Sequence, residues 1–295
     1  DLQGFVQGLT NSVNTIYAGA GEWQMTNSYF AIPKNQKIVG TNRETVFRGT
    51  GTNPVIYIVN QSNVWLEGLT ITGGSNAASG VPFWAGRGGG VSAGNSSGWT
   101  YSDQIVTNCS IVSNGAHSYG GGISLIGVLV DSEVAYNVAP NGAGIRMAAG
   151  SGLSIHHNYA TLDGGGIYSG TLRNCELFNN VSRRGGGGYA IDIYDSSVVS
   201  NVAFSVDGGG LSGSYGTNLY VAHNRAPVNG GISGVSYTNV VVFGNHATNG
   251  AGGGGNFNAC CGQVVSNSAT GAGGGAQAGT FYRVLFQANS ASYGG

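Results

Sequence analysis

The stretch NCELFNNVSRRGGGG, residues 174–188, decides the fold because its pattern recurs along the second half of the chain. The stretch DSSVVSNVAFSVDGGG, residues 195–210, repeats the order: an apolar residue, two variable residues, Asn, one variable residue, a small residue and then a glycine cluster. This Asn returns every 21 to 23 residues, at Asn114, Asn137, Asn158, Asn180, Asn201, Asn224, Asn245, Asn267 and Asn289. Such a period indicates a solenoid of stacked units, because one unit is too short to bury its own apolar face.

The length of the repeat selects the geometry of the solenoid. Helical repeats run to about 33 residues or more, and helices would not tolerate this much glycine. A shorter unit suits a coil of strands and turns, in which each strand pairs with its equivalent in the next coil at roughly 4.8 Å. The sequence therefore predicts an all-β, right-handed parallel β-helix solenoid with about 22 residues and three short strands per coil.

Individual positions of the repeat predict columns along the solenoid. The apolar residue three before each Asn, such as Leu177, and the residue five before it, such as Cys175, share one strand face and are expected to stack inward. The repeated Asn, such as Asn180, is expected at a tight turn, where it tolerates the left-handed conformation and its amide bonds the equivalent amides above and below. A second column of Asn and Asp, six residues earlier, is expected at the turn that opens the same strand.

The repeat also predicts the domain organisation, a single β-helix domain over residues 1–295. Residues 15–107 are expected to form less regular early coils with an insertion near 73–100, and residues 108–295 the regular Asn and Gly repeats. Residues 1–14 are expected to form a short helical cap, since Leu2, Phe5, Val6 and Leu9 have helical spacing behind Asp1. The last repeat stops before its end, so we expect either further sequence or a docked subunit there.

Several segments resemble a known superfamily. TIYAGAGEW (15–23), FAIPKNQKIVGTNRETVF (30–47) and NVWLEGLTITGG (63–74) resemble the first coils of the pectin-lyase-like β-helix superfamily. NCELFNN followed by GGGG, and VVFGNHATNGAGGGG (241–255), are similar to the FxxN and GGxI repeats of polymorphic outer-membrane proteins and related bacterial surface β-helices. The resemblance implies the fold but not one activity, because the superfamily contains lyases, glycosidases, tailspikes and adhesins.

Composition and charge exclude some classes of partner. Only 8% of the residues are charged, against about 25% in a typical globular domain, and the formal net charge is −1. No basic run extends beyond Arg183–Arg184, so nucleic acid is not an expected partner. No apolar stretch reaches the roughly 18 residues of a transmembrane helix. We expect an extracellular or cell-surface protein; the first residue, Asp1, fits a mature chain after signal removal or a boundary within a longer chain.

The candidates for catalysis are acidic residues. Lyases and glycosidases of this superfamily need clustered carboxylates, and here Asp131 and Glu133 share a strand face while Glu176 repeats the Glu133 position two coils later. The alternative is structural, because Asp131 belongs to the Asn and Asp turn column and both glutamates alternate with serine on a solvated face. The sequence therefore assigns no catalytic residue, and it predicts no metal site and no cofactor.

Three further features are candidates for binding or chemistry. Arg183 and Arg184 are either a site for an acidic sugar or solvated surface, and Trp84 and Trp99 make the insertion the first place to look for a ligand. Cys260–Cys261 predicts either a vicinal disulfide or two thiols that face opposite sides of a strand.

The residue two before each repeated Asn is apolar in most coils although strand parity points it outward. Such residues predict an exposed apolar interface stripe for a partner or a second copy of the chain. The alternative is that the strand bends before its turn and tucks them inside. The residues of this stripe are Val112, Phe178, Val199, Phe243 and Val265.

These observations support two hypotheses for function. The first is a secreted or cell-surface structural and adhesive β-helix, which assembles head to tail into filaments or binds other surface proteins or polysaccharide. The alternative is an extracellular polysaccharide lyase, glycosidase or carbohydrate-binding module. The first is favoured by the low charge and by the regular Asn and Ala columns.

Overall fold

The structure is a computed structural model that describes residues 14–25, 29–59, 62–77, 86–94, 103–125 and 127–293. Its contacts divide the chain into two compact units, residues 1–154 and 155–295. Each unit is an all-β parallel solenoid with about 22 residues per turn. The part of the chain that the structure describes contains no helix, and no segment of it that could cross a membrane as a helix. The helical cap expected over residues 1–14 is unsupported: residues 1–13 lie outside the described residues, and Asn14 begins a strand.

The first unit stacks its strands in four columns. Its strands are β1 (Asn14–Tyr17), β2 (Gly21–Met25), β3 (Phe30–Ala31), β4 (Gln36–Val39), β5 (Thr45–Gly49), β6 (Ile56–Val59), β7 (Trp65–Glu67), β8 (Leu69–Thr72), β9 (Ser75–Asn76), β10 (Val91–Gly94), β11 (Ile105–Thr107), β12 (Ser110–Val112), β13 (Gly115–Ala116), β14 (Ile123–Ser124), β15 (Val128–Val130), β16 (Glu133–Ala135), β17 (Val138–Ala139) and β18 (Ile145–Ser151), and β19 (Ser154–His156) leads into the second unit. One column is β1-β4-β7-β11-β15-β18 and the next is β2-β5-β8-β12-β16. The third is β3-β6-β10-β14-β18, and the fourth is the short β9-β13-β17.

In the second unit the strands are longer and fewer per coil. They are β20 (Tyr159–Ala160), β21 (Ile167–Arg173), β22 (Glu176–Phe178), β23 (Val181–Ser182), β24 (Gly188–Val199), β25 (Val202–Ala203), β26 (Leu211–Ser212), β27 (Tyr215–Ala222), β28 (Arg225–Ala226), β29 (Ile232–Phe243), β30 (His246–Ala247), β31 (Gly255–Val265), β32 (Ser268–Ala272), β33 (Ala276–Ala278), β34 (Phe281–Gln287) and β35 (Ser290–Tyr293). The main column runs β21-β24-β27-β29-β31-β34, and the short column runs β20-β23-β25-β28-β30-β32-β35. β24 and β29 each reach 12 residues. Their ladder continues through a bend, so the three short strands expected per coil merge there.

Left-handed residues form the bends at fixed places in the repeat. In every described coil from Asn108 onward the residue six before the repeated Asn has a φ between 47° and 66°, whether it is Asn, Asp, Gly, Cys or Arg. The residue directly before the repeated Asn is also left-handed, as at Ser200 (φ 57°) and His223 (φ 56°). The expectation that the repeated Asn is itself left-handed is therefore wrong. Its side chain instead makes hydrogen bonds to the adjacent coils.

The repeated asparagines form a buried ladder of amides. Asn201 donates from its backbone N–H and from Nδ2 to Oδ1 of Asn224, at 2.8 and 3.1 Å. Its Nδ2 also donates to the carbonyl oxygen of Leu177 one coil earlier, at 2.9 Å. Its own Oδ1 accepts from the backbone N–H and Nδ2 of Asn180, both at 3.0 Å. The same amide-to-amide contacts connect Asn158, Asn180, Asn201, Asn224, Asn245, Asn267 and Asn289 in the second unit, and Asn114 to Asn137 in the first.

Apolar columns fill the interior on both sides of each bend. Residues three before the repeated Asn are fully buried from Ile111 to Val264, and residues five before it are buried from Cys109 to Val240. The small residue two after each Asn is buried from Ala139 to Ala269. Glycine allows the coils to approach at the remaining corner: Gly208 has a φ of 66°, and a Cβ on Gly209 would overlap the backbone of Gly230 and Arg225.

Replacing one interior ladder residue tests how much the amides contribute. Asn201→Ala leaves the backbone N–H of Asn180 and the carbonyl of Leu177 without their partner amide, so we expect the free energy of unfolding to fall by about 2 kcal/mol or more. Urea denaturation followed by circular dichroism measures the change. Asn256→Ala, on an exposed strand position, is the matched control and should have little effect. Equal effects of the two substitutions would contradict a structural role for the ladder.

A substitution at Tyr237 is expected to increase the free energy of unfolding. Its ring is buried in contact with Phe257, with ring centroids 5.9 Å apart, and its hydroxyl has no hydrogen-bond partner among the described residues. Burial accordingly raises the pKa of this hydroxyl. We expect Tyr237→Phe to increase the free energy of unfolding by about 1 kcal/mol, because it removes an unsatisfied polar group and keeps the ring. Tyr237→Leu should instead lower it, since the core loses volume. Thermal and urea denaturation distinguish these results.

Candidate functional site

A charged column lies at the corner that precedes the first three glycine clusters of the second unit. Asp163 and Arg184 pair there in adjacent coils, and Asp207 occupies the same repeat position one coil further along. Arg184 donates from Nε and Nη2 to the two carboxylate oxygens of Asp163, at 3.2 and 2.8 Å. This hydrogen bonding raises the pKa of Arg184. Arg183 also faces Asp163, with Nη2 3.6 Å from Oδ1. The Asp163 carboxylate therefore offsets the positive charge of Arg183 and Arg184, the two residues that the sequence suggested as a site for an acidic sugar.

A small groove opens beside this column. It has a volume of about 310 Å³ and is lined by Arg184, Tyr189, Ser212, Ser233 and Asn256, among others. The guanidinium of Arg184 lies over the ring of Tyr189, 4.3 Å from its centroid. Inside the groove the Ser212 and Ser233 hydroxyls lie within hydrogen-bond distance of the Asp207 carboxylate, at 3.3 and 2.6 Å. An aromatic ring flanked by hydroxyl, amide and guanidinium groups has the chemistry that binds a polar, uncharged ligand such as a neutral sugar.

A larger groove of the second unit lies along the left-handed turn residues six before the repeated Asn. Its volume is about 560 Å³, and its lining includes Asn174, Glu176, Asp195, Asn218 and Tyr220. Asn218 donates from Nδ2 to Oδ1 of Asp195 at 2.6 Å, and Asn239 donates from Nδ2 to Oδ1 of Asn218 at 2.9 Å, so these three residues form a second, exposed ladder. Glu176 is exposed and pairs in register with Ser197. The acidic residues of this groove are thus one carboxylate in a turn ladder and one on a solvated strand.

The other two acidic candidates lie in the first unit. Glu133 accepts a hydrogen bond from the Ser110 hydroxyl at 2.7 Å. Asp131 is exposed at a left-handed bend with a φ of 47°, and its backbone carbonyl accepts from Nη2 of Arg43 at 3.0 Å. In the described residues no three His, Cys, Asp or Glu side chains converge in the way that a metal site requires. Trp84 and Trp99 lie outside the described residues.

The predicted interface stripe is half-buried. Val112, Phe178, Val199, Phe243 and Val265 all have intermediate exposure. Phe178 is covered by His156, whose ring stacks on it with centroids 4.6 Å apart, and Phe243 is contacted by His223 at 5.3 Å. The stripe is therefore neither fully exposed nor tucked inside. Its two phenylalanine rings are partly covered by histidines.

A different surface of the second unit exposes large apolar side chains. Tyr159, Leu162, Phe204 and Val206 are 45%, 40%, 46% and 37% exposed, and we call these four residues the apolar patch. The rings of Tyr159 and Phe204 lie nearly parallel, with centroids 6.3 Å apart and planes 13° apart. Backbone hydrogen bonds link the patch across coils, from Arg183 to the carbonyl of Leu162 and from Val206 to the carbonyl of Arg183.

A signal for one member of this patch, Tyr159, is present in the sequence, in a column that the repeat pattern alone did not single out. The residue directly after the repeated Asn points outward, because the next residue is the buried small one. It is apolar in four successive repeats, at Val138, Tyr159, Val181 and Val202, and polar in the next four, at Arg225, His246, Ser268 and Ser290. A run of outward apolar residues in an otherwise polar column indicates a surface that does not face water alone.

Some solved structures resemble this chain distantly. Neither a protein-family model nor a curated protein matches the chain. Among solved structures, the A-module of the mannuronan C-5 epimerase AlgE6 of Azotobacter vinelandii aligns with 92% of this chain and 90% of its own, at 13% identity and a TM-score of 0.26. PfbA, a surface adhesin of Streptococcus pneumoniae, aligns with 99% of this chain and 88% of its own, at 9% identity and a TM-score of 0.33.

Proposed function

We propose that this protein is an extracellular or cell-surface structural and adhesive β-solenoid that associates with other copies of itself through the apolar patch. The observation that carries the proposal is the patch, in which Tyr159, Leu162, Phe204 and Val206 are each more than a third exposed. Apolar side chains grouped on a soluble surface mark interaction sites, and aromatic residues contribute most to the energy of such contacts.

The charge of the chain supports a second copy as the partner. The formal net charge is −1 and only 8% of the residues are charged, so two copies repel each other weakly. Arg183 lies on the coil between Leu162 and Val206, and its guanidinium is 3.6 Å from the Asp163 carboxylate, so the charge beside the patch is offset.

The scaffold supports the structural part of the proposal. Buried amides connect successive coils, so the backbone beneath the patch is held at a regular spacing. A surface that is rigid before binding loses less conformational entropy on association than a flexible loop does. A role outside the cell, and assembly into filaments from head to tail, remain predictions of the sequence.

Self-association through the patch can be measured directly. We expect sedimentation velocity to show larger species as the concentration of the wild-type chain rises, and sulfate to strengthen the association because the contact is apolar. The double substitution Tyr159→Ser and Phe204→Ser should raise the concentration required about tenfold or more. Tyr215→Ser, which removes a ring that is 50% exposed on another strand, is the matched control and should leave association unchanged.

Two results would contradict this proposal. One is a wild-type chain that stays monomeric at every concentration, and the other is equal weakening by the patch and control substitutions. Circular dichroism of each variant shows that the fold is kept. Electron microscopy of the same samples distinguishes filaments from discrete particles.

A second candidate function is binding of a neutral glycan in the smaller groove, which is favoured by Tyr189 and the polar groups around it. Titration calorimetry with a neutral oligosaccharide, such as one of β-linked glucose, should show binding that Tyr189→Ala weakens about tenfold. An oligogalacturonate should bind no better, because the carboxylates of Asp163 and Asp207 offset the charges of Arg183 and Arg184 beside the groove. No binding of either sugar, or stronger binding of the acidic one, would argue against this candidate.

A further inference from the structure

Two adjacent cysteines of β31 hold their sulfur atoms side by side. The Sγ atoms of Cys260 and Cys261 are 2.8 Å apart, and both residues are half-buried. Successive side chains of a regular strand point to opposite faces of the sheet, which keeps the sulfurs of a vicinal pair apart. The sequence left both arrangements open, and the structure has the two thiols facing each other.

The cause is the bend that the solenoid places at this position. Cys261 has a φ of 61° and occupies the left-handed corner that Asn239 (φ 50°) and Arg283 (φ 51°) occupy in the adjacent coils. A left-handed residue interrupts the alternation of side chains, so the second thiol lies beside the first. The corner recurs with many residue types, and it is therefore imposed by the stacked coils and not by the cysteines.

The surroundings of the pair differ from those of the other cysteines. Cys109 and Cys175 are buried, and each contacts the carbonyl of the residue two before it, at 3.2 and 3.1 Å. Burial raises the pKa of the Cys109 thiol to about 12. Near Cys260 the positive charge of Arg283 favours the thiolate, although the hydrogen bond with Cys261 and burial together raise the pKa of Cys260. Access to solvent distinguishes the vicinal pair from the two buried cysteines as the reactive one.

We propose that Cys260 and Cys261 form a redox-sensitive dithiol, which a small-molecule disulfide converts into a vicinal disulfide. One thiolate attacks the reagent RSSR, forms a mixed disulfide and releases one thiol RSH. The neighbouring thiolate then attacks the protein sulfur of the mixed disulfide, closes the ring and releases the second RSH. The two cysteines lose two electrons, RSSR gains them, and the two thiol protons leave on the two RSH molecules. This inference does not depend on the proposed function.

The test uses the full chain and oxidised glutathione. After incubation of the reduced, folded protein at mildly alkaline pH, we expect mass spectrometry to show the loss of two hydrogens, located in a peptide that contains Cys260 and Cys261. Dithiothreitol should reverse the change. In denaturant the ring should close at least about tenfold more slowly, because the corner no longer holds the sulfurs together.

Matched variants separate the pair from the other cysteines. Cys260→Ser and Cys261→Ser should each stop at one bound glutathione, and Cys109→Ala with Cys175→Ala should behave as the wild type does. If Cys261→Ser fails to fold, Cys261→Asn replaces it, since Asn occupies the same corner one coil earlier at Asn239. Stable glutathione adducts on the wild type, disulfides between chains, no reaction, or equal rates in the folded and denatured protein would each overturn the proposal.

Discussion

The buried asparagine ladder is the interaction on which the rest of this structure depends. Directly before each repeated Asn the chain bends through a left-handed residue. Without the amide of the Asn, the backbone groups at this bend would be buried without hydrogen-bond partners. One side-chain amide per coil meets this need, because it accepts from the previous coil and donates both to the next amide and to a strand carbonyl. In the regular repeats the spacing of 21 to 23 residues keeps each amide in this column.

Once the ladder sets the register, the inward positions are committed to packing and the outward ones are free to vary. This division explains why several polar residues that are candidates for chemistry have structural contacts. Arg183 and Arg184 both face the carboxylate of Asp163, and Glu133 accepts from the Ser110 hydroxyl. What remains for recognition is the outer surface, which in the second unit includes the two grooves described above and the apolar patch.

Much of this architecture follows from periodicity. The spacing of Asn201 and Asn224 places them in one column. The apolar residue three before each Asn lies on the strand face that points into the solenoid. Two details were wrong or unsupported. The left-handed residue of the corner is the one before the ladder Asn, since the amide must point inward to reach its neighbours. The described residues also give no support to a helical cap, because Asn14 is already in a strand.

By itself, the sequence determined the parallel solenoid, its period and the identity of the stacked columns, because these depend only on which residues recur at constant spacing. Contacts between different columns were decided by the tertiary structure alone. The opposition of Cys260 and Cys261 and the approach of Tyr159 to Phe204 both depend on how far the backbone turns at each corner. A period in sequence carries no such angle, so it specifies which side chains lie in line and leaves open which ones meet across a bend.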